Sequence, residues 1–194
     1  MSAFLGSMTM ARFSKGLRAA AAALAALGAL APVAATSQAA RPGEAGLMIG
    51  PMSGLPVPRF VSLKSAKVYV RQGPTKEHPV AFVYRRAGEP VEIIAEYDNW
   101  RRIRDSEGAE GWVWHSLLSG RRTALVTPWA KDQSAMPIHV RAGAHERLSA
   151  RLEPKVLVTV RACDSQWCRV EGEGFEGFIE QNRLWGVYPG ERFD

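Results

Sequence analysis

Residues that build catalytic or metal centres are scarce in this sequence. It has only two cysteines, too few for a four-cysteine zinc site or a small fold held by several disulfides. Its four histidines share no metal-ligand spacing, and no His-Glu-x-x-His or Gly-x-Ser-x-Gly motif occurs. No glycine-rich phosphate loop follows a strand pattern. These absences predict that the protein is not an enzyme and holds no cofactor or metal.

Excess charge and helical patterning are also limited. The chain has 25 Lys and Arg against 19 Asp and Glu, but three basic residues lie in residues 1–40, which contain no acid. The rest of the chain therefore carries a net charge of +3, which does not call for a nucleic-acid partner. After residue 41, no ten-residue stretch has the apolar periodicity of a helix. Since 46% of the residues are hydrophobic, the chain can still bury a core.

The first 40 residues have the order of a secretory signal peptide. Three basic residues precede an Ala/Leu run over residues 19–30 and a small-residue stretch over residues 34–40. The run is shorter than the roughly 20 residues that span a bilayer, so we expect no stable membrane anchor after cleavage. Cleavage after Ala39 or Ala40 fits the pattern, and an Ala-rich helix of a cytosolic domain is the alternative. We expect an exported protein, periplasmic or secreted.

An internal repeat organises the rest of the chain. The repeated segments are 68–73 with 138–143, 91–103 with 158–170, and 111–113 with 177–179, at offsets of 70, 67 and 66 residues. Each copy alternates apolar and polar residues over short runs separated by turn residues, which is the pattern of half-buried strands. Five short strands in so few residues favour a small barrel, because closure removes exposed edges. The sequence predicts an all-β protein with two such barrels in tandem.

These patterns predict a boundary for each part of the chain. We expect a signal peptide at 1–40, a flexible Pro/Gly linker at 41–58, a first barrel at 59–120, an inter-domain linker at 121–134, a second barrel at 135–188 and a C-terminal tail at 189–194. The segment 184–189 contains a Trp and a Tyr, and we expect it to pack back on the domains because a free tail would expose their apolar area.

Short motifs in the first copy resemble bacterial SH3-like domains. They are Val-x-Val-Arg-x-Gly-Pro at 68–74, Gly-Glu-Pro-Val at 88–91, Asn99-Trp100 and Gly111-Trp112-Val113. Residues 59–188 as a whole resemble the tandem exported SH3-like proteins of alphaproteobacteria. The resemblance implies a non-catalytic module that binds peptidoglycan or its stem peptides. A protein–protein adaptor for an envelope enzyme is the alternative, and a cell-wall hydrolase is a third hypothesis.

The two cysteines, Cys163 and Cys168, flank a four-residue turn. In a hairpin these positions can face each other at a separation that suits a disulfide, and export favours oxidation. Two buried thiols and a catalytic cysteine are the alternatives. Counted from the shared Trp of the repeat, the pair corresponds to Glu96 and Arg101 in the first copy. We expect those two residues to form an exposed cross-strand ion pair worth about 0–1 kcal/mol.

Tryptophans beside arginines form the candidate ligand-binding surface. The residues we assign to it are Trp100, Arg102, Arg104, Trp114, Arg85 and Arg86. Aromatic rings can stack on a sugar or peptide while guanidinium groups bind carboxylates. The alternatives are rings that fill the barrels, which we favour for Trp112 and Trp167, and arginines that only cover solvated strands. The expected partner is peptidoglycan or an envelope protein, and not nucleic acid.

Overall fold

The computed structural model describes residues 48–194, which form strands and two short 3-10 turns, His115–Leu117 and Gln181–Arg183, but no α-helix. The all-β prediction is confirmed. None of the described residues belongs to a helix long and apolar enough to cross a membrane. The predicted signal peptide, 1–40, lies outside the described residues.

A small hairpin begins the described range. It consists of β1 (Met48–Ile49) and β2 (Pro56–Val57), which pair antiparallel. These residues belong to the stretch that we predicted as the flexible linker 41–58. The turn of the hairpin is held in place, because the backbone amides of Met52 and Ser53 donate to the carboxylate of Glu96 at 3.1 and 3.0 Å.

The first sheet has seven antiparallel strands. They are β3 (Arg59–Leu63), β4 (Val68–Arg71), β5 (Val80–Tyr84), β6 (Pro90–Tyr97), β7 (Trp100–Arg104), β8 (Glu110–Trp114) and β9 (Leu118–Ser119). Their spatial order is β5-β4-β8-β7-β6-β3-β9. Alternate residues of these strands point to one face and build a single aliphatic core. Its fully buried members are Leu63, Val68, Val70, Val91, Ile93, Ile103 and Val113.

The second sheet has eight strands and its own core. They are β10 (Thr123–Val126), β11 (Met136–His139), β12 (Leu148–Leu152), β13 (Leu157–Asp164), β14 (Trp167–Gly172), β15 (Phe175–Glu180), β16 (Leu184–Trp185) and β17 (Arg192–Phe193). The spatial order is β12-β11-β15-β14-β13-β10-β16. Strand β17 pairs with the last two residues of β13, beyond the residues that pair with β10. The core includes both cysteines and aliphatic residues from β10 to β16.

Two segments that we predicted as connections are part of this second sheet. All four residues of β10, within the predicted linker 121–134, are buried between β13 and β16. Strand β17, within the predicted tail 189–194, pairs with Cys163 and Asp164. The structure therefore corrects both interpretations. Strands of only two to four residues are too short to show an alternating pattern in the sequence, and only their pairing with distant strands identifies them.

The register of the repeat also differs from the sequence alignment over its first strand. Arg71 of β4 lies opposite Trp112, and His139 of β11 lies opposite Phe178. Both strands have a register shift just before this residue. His139 is therefore the equivalent of Arg71, and the offset is 68 residues here rather than the 70 that the motif match gave.

The predicted hairpin pairs are present in both sheets. Cys163 lies opposite Cys168 on β13 and β14, and the two are joined by a disulfide, which confirms that prediction. Glu96 lies opposite Arg101 on β6 and β7, with Oε1 3.3 Å from Nε. We predicted an exposed ion pair, but this one is buried: the Glu96 side chain is 0% and the Arg101 side chain 8% exposed. The docked N-terminal hairpin covers it.

The segment after β16 packs back on the first sheet, as predicted. The Phe60 ring packs edge-on against Trp185, with ring centroids 5.2 Å apart, and at a tilt of 42° against Tyr188, with centroids 4.7 Å apart. The Tyr188 hydroxyl donates to the buried Glu92 carboxylate at 2.8 Å. Burial and this carboxylate together raise the pKa of Tyr188, so the hydroxyl stays protonated and acts as the donor. Apolar and polar contacts therefore join the two sheets.

Candidate functional site

The tryptophans predicted in the first sheet lie on one face of β7 and β8. Trp100 stands opposite Trp114, and the rings meet edge-on with centroids 5.3 Å apart. Val113, between the two β8 tryptophans, points into the core and is fully buried. Trp100 is only 7% exposed because Trp114 packs against its ring, so it has little ring surface for a ligand. Trp114 is partly exposed and is the accessible ring of this pair.

The arginines of the same face are already paired. Arg102 donates to Glu110 at 2.7 Å, and Arg104 donates to Glu92 at 2.6 Å. The hydrogen bond that Arg104 donates to Glu92 raises the pKa of Arg104 further above its usual value. A carboxylate ligand would have to compete with these acidic side chains, so the face does not present free positive charge.

The last two predicted residues, Arg85 and Arg86, lie away from this face. They follow β5, which is separated from β7 by β4 and β8. Arg86 Nη1 lies 3.9 Å from Glu89 and donates to the Lys155 carbonyl of the second sheet at 3.4 Å. The structure thus brings four of the six predicted residues together and places these two elsewhere.

A concave surface that the sequence analysis did not assign lies in the second sheet, around Trp167. Two adjoining pockets of about 360 and 380 Å³ share Trp167 and Glu180, and we call them the Trp167 groove. The first pocket is lined by Gln166, Asn182 and Pro189, and the second by Met136, Leu148 and Arg151, among other residues. The partly exposed Trp167 ring therefore separates two depressions of ligand size.

The turn between β13 and β14 fixes the position of Trp167. Asp164 Oδ1 accepts hydrogen bonds from the amides of Gln166 and Trp167, at 2.9 and 2.7 Å. These backbone bonds lower the pKa of Asp164, which keeps the accepting carboxylate ionised. The Cys163–Cys168 disulfide closes the same turn. Two backbone hydrogen bonds and a disulfide therefore hold this short loop and present the Trp167 ring in a defined orientation.

Charged and aromatic side chains surround the ring. The buried His139 packs edge-on against Trp167, with centroids 5.7 Å apart, and its Nδ1 bonds to the Glu146 carbonyl at 2.8 Å. Glu180 accepts from Arg183 Nε at 3.2 Å, with both side chains more than 40% exposed. The groove thus offers an aromatic surface beside groups of both charges, which suits a ligand with apolar, cationic and anionic parts.

One difference between the copies explains why the groove is in the second. Trp100 and Trp167 are equivalent, and the residue opposite is Trp114 in the first sheet but Glu180 in the second. A tryptophan opposite covers Trp100, whereas the smaller carboxylate leaves Trp167 partly uncovered. The sequence favours a filling role for Trp167, but the ring is partly exposed. The 66-residue offset, which aligns Trp114 with Glu180, is the sequence signal that indicates this exposure.

Within residues 48–194, no cluster of His, Cys, Asp and Glu side chains has the arrangement of a metal site. The free thiol that a cysteine nucleophile needs is also absent there, because both cysteines are in the disulfide.

A protein-family model agrees with the fold. The model of the bacterial SH3 domain matches the chain over residues 64–120 and 133–186, which confirms the resemblance to a tandem of such domains. Solved structures of NlpC2 and NlpC1 from Trichomonas vaginalis are each similar at 12% identity and a TM-score of 0.30. The matches cover 66% and 70% of this chain and 48% of each of those chains, so this chain spans about half their length. No curated protein matches.

Proposed function

Because the chain belongs to the bacterial SH3 domain family, we propose that it is a non-catalytic module that binds peptidoglycan or its stem peptides in the cell envelope. The observation that carries the proposal is the Trp167 groove. It places a partly exposed ring between two pockets and beside Glu180 and Arg183.

The chemistry of the groove supports a wall-derived ligand. A sugar or a peptide backbone can lie flat on the Trp167 ring. Arg151 can bind a carboxylate of a stem peptide. Arg183 and Glu180 are paired at 3.2 Å but are more than 40% exposed, so they can exchange this pairing for a carboxylate and an amine of the ligand. A purely electrostatic partner would need no ring, and a purely apolar partner would leave these charges without a role.

Exported location is part of the proposal. The Cys163–Cys168 disulfide forms in oxidising compartments such as the bacterial periplasm, and it is consistent with an envelope or secreted protein. We place the protein in the periplasm on the basis of the signal-peptide pattern in residues 1–40 together with this disulfide.

Co-sedimentation with purified peptidoglycan sacculi tests the function. The chain without residues 1–40 should pellet with sacculi at low and high salt, and Trp167→Ala should reduce the bound fraction about tenfold, the effect of removing one aromatic anchor. Trp129→Ala is the matched control, because it removes a ring that is 54% exposed and does not line the Trp167 groove, and it should leave pelleting unchanged.

The outcomes separate the hypotheses. Pelleting that high salt abolishes in every variant would show only diffuse charge attraction and would refute the groove. The absence of pelleting would refute the wall-binding proposal and favour the adaptor for an envelope enzyme. Far-ultraviolet circular dichroism of each variant confirms that the fold is intact before binding is compared.

A further inference from the structure

Strand β5 lies at the open end of the first sheet. Among the described residues, its only strand partner is β4. An edge strand presents a row of backbone N–H and C=O groups that can pair with another strand, and proteins usually protect such edges with charges or proline. The sequence of β5, Val80–Tyr84, is Val-Ala-Phe-Val-Tyr and has neither within the strand, although Pro79 precedes it and a β-bulge lies at Ala81.

The equivalent strand of the second sheet is protected. Strand β12 is also at a sheet edge, and the 68-residue offset aligns Ala81 with Ser149 and Val83 with Arg151. The exposed arginine in the middle of β12 disfavours pairing with a further strand. Two strands with the same position in the fold therefore differ in the feature that controls edge pairing.

The outer surface beside β5 has apolar side chains between two basic ones, Lys67, whose Nζ lies 5.1 Å from the Tyr69 ring centroid, and Arg71, which is opposite Val80. Tyr69, which lies opposite Val83 on β4, is 46% exposed, and Val80 is 41% exposed. Phe82 is on the opposite side of the strand and packs against the aliphatic core. A strand added to β5 would thus extend the backbone ladder and cover apolar side chains at the same time.

The charges at the two ends of β5 favour a particular partner. Glu77 precedes the strand and Arg85 and Arg86 follow it, and Glu77 and Arg85 are exposed. Antiparallel pairing of two identical strands places the beginning of one beside the end of the other. With the register centred on Phe82, Arg86 of one copy lies opposite His78 of the other and next to Glu77. The strand and its flanks are therefore complementary to themselves.

We propose that two copies of this chain associate through antiparallel pairing of their β5 strands, which forms a twofold dimer with one sheet continuous between the copies. Such an interface is isologous, since the same residues contribute from both sides. It uses Arg85 and Arg86 for assembly rather than for ligand binding. It does not depend on the Trp167 groove, which is in the other sheet.

Sedimentation velocity tests the dimer. The chain without residues 1–40 should shift from monomer to dimer between about 10 and 200 μM, as mass action requires. The double variant A81K/V83K places lysines directly opposite each other in the paired strands and should be monomeric throughout this range. The matched control S149K gives β12 the same pair of charges, with Arg151, and should associate like the unmodified chain.

A charge-reversal series tests the register. Glu77→Arg should weaken association about tenfold, and adding Arg85→Glu and Arg86→Glu to it should restore the original affinity. Glu77 and Arg85 are exposed, but Arg86 also contacts Glu89 and the Lys155 carbonyl, so circular dichroism of each variant checks that the fold is intact. A monomeric unmodified chain at 200 μM, a dimer that persists in A81K/V83K, or a failure of the charge reversal to restore association would each overturn the proposal.

Discussion

Glu96→Gln should lower the free energy of unfolding by about 3 kcal/mol, the cost typical of removing one partner from a buried ion pair. The carboxylate has no exposed side-chain surface, and it accepts hydrogen bonds from Ser53 and from Arg59 Nη2 at 2.9 Å. It also pairs with Arg101 at 3.3 Å. Neutralising it leaves two guanidinium groups that are 16% and 8% exposed without their carboxylate.

Urea unfolding monitored by circular dichroism measures this loss. The matched control is Arg102→Gln, which breaks the exposed pair between Arg102 and Glu110 and should cost about 0–1 kcal/mol. A double-mutant cycle of Glu96→Gln with Arg101→Met then isolates the pairwise coupling. If Glu96→Gln costs no more than the control, the carboxylate is solvated and the argument from burial is wrong.

The same carboxylate predicts a pH dependence. Burial acts to raise the pKa of Glu96, but the hydrogen bonds from Ser53 and Arg59 outweigh it and lower the pKa to about 2. Because the folded-state pKa is below the unfolded value of 4.5, this stabilisation is present above about pH 4.5 and is lost as the pH falls towards 2. The stability difference between the unmodified chain and Glu96→Gln should be constant above pH 5 and shrink below it. A difference that is unchanged at about pH 3 would contradict the reasoning.

Two further perturbations test the strand register. Reduction of the Cys163–Cys168 disulfide should lower the free energy of unfolding by about 2 kcal/mol, the chain-entropy value for so short a loop, and an unchanged urea midpoint with dithiothreitol would contradict this. Gly111→Ala should lower the free energy of unfolding by about 1–3 kcal/mol, because the added Cβ would lie 2.9 Å from the Arg71 carbonyl oxygen. The control is Gly120→Ala, whose Cβ would meet nothing within 4 Å, and equal thermal midpoints of the two variants would refute the predicted contact.

The tryptophan alignment could predict the hairpin register, whereas the first-strand motif could not. Glu96 and Cys163 are each a fixed number of residues before a Trp that closes a short turn, so counting from that Trp gave the right pairs. In the first strand, a shift of two residues keeps every side chain on the same face of the sheet. The match of 68–71 to 138–141 therefore satisfied the pattern as well as the true register did, and only the β-bulge decides between them.

The burial of Glu96 and of β10 could not be predicted because it depends on contacts between segments that are far apart in sequence. The turn that covers Glu96 comes from residues 48–57, which have no apolar periodicity. Strand β10 has only four residues, and its partners, β13 and β16, are 31 to 62 positions away. Local pattern shows which face of a strand is apolar, but not which distant segment will cover a polar residue.

The two barrels have different residues at the paired positions of their hairpins, and this difference gives the side chains different roles. In the first barrel, Glu96 is engaged with Arg101 and with the N-terminal hairpin, and Trp114 covers Trp100, so these side chains serve the structure. In the second, a disulfide replaces the ion pair and β17 pairs beside it, while the Trp167 ring remains partly open to solvent. If the Trp167 groove is the binding site, substitutions of Glu96 or Arg101 should change the free energy of unfolding without changing ligand affinity in the folded protein. Glu180→Trp should lower ligand affinity without changing the free energy of unfolding, because the new ring would cover Trp167 as Trp114 covers Trp100.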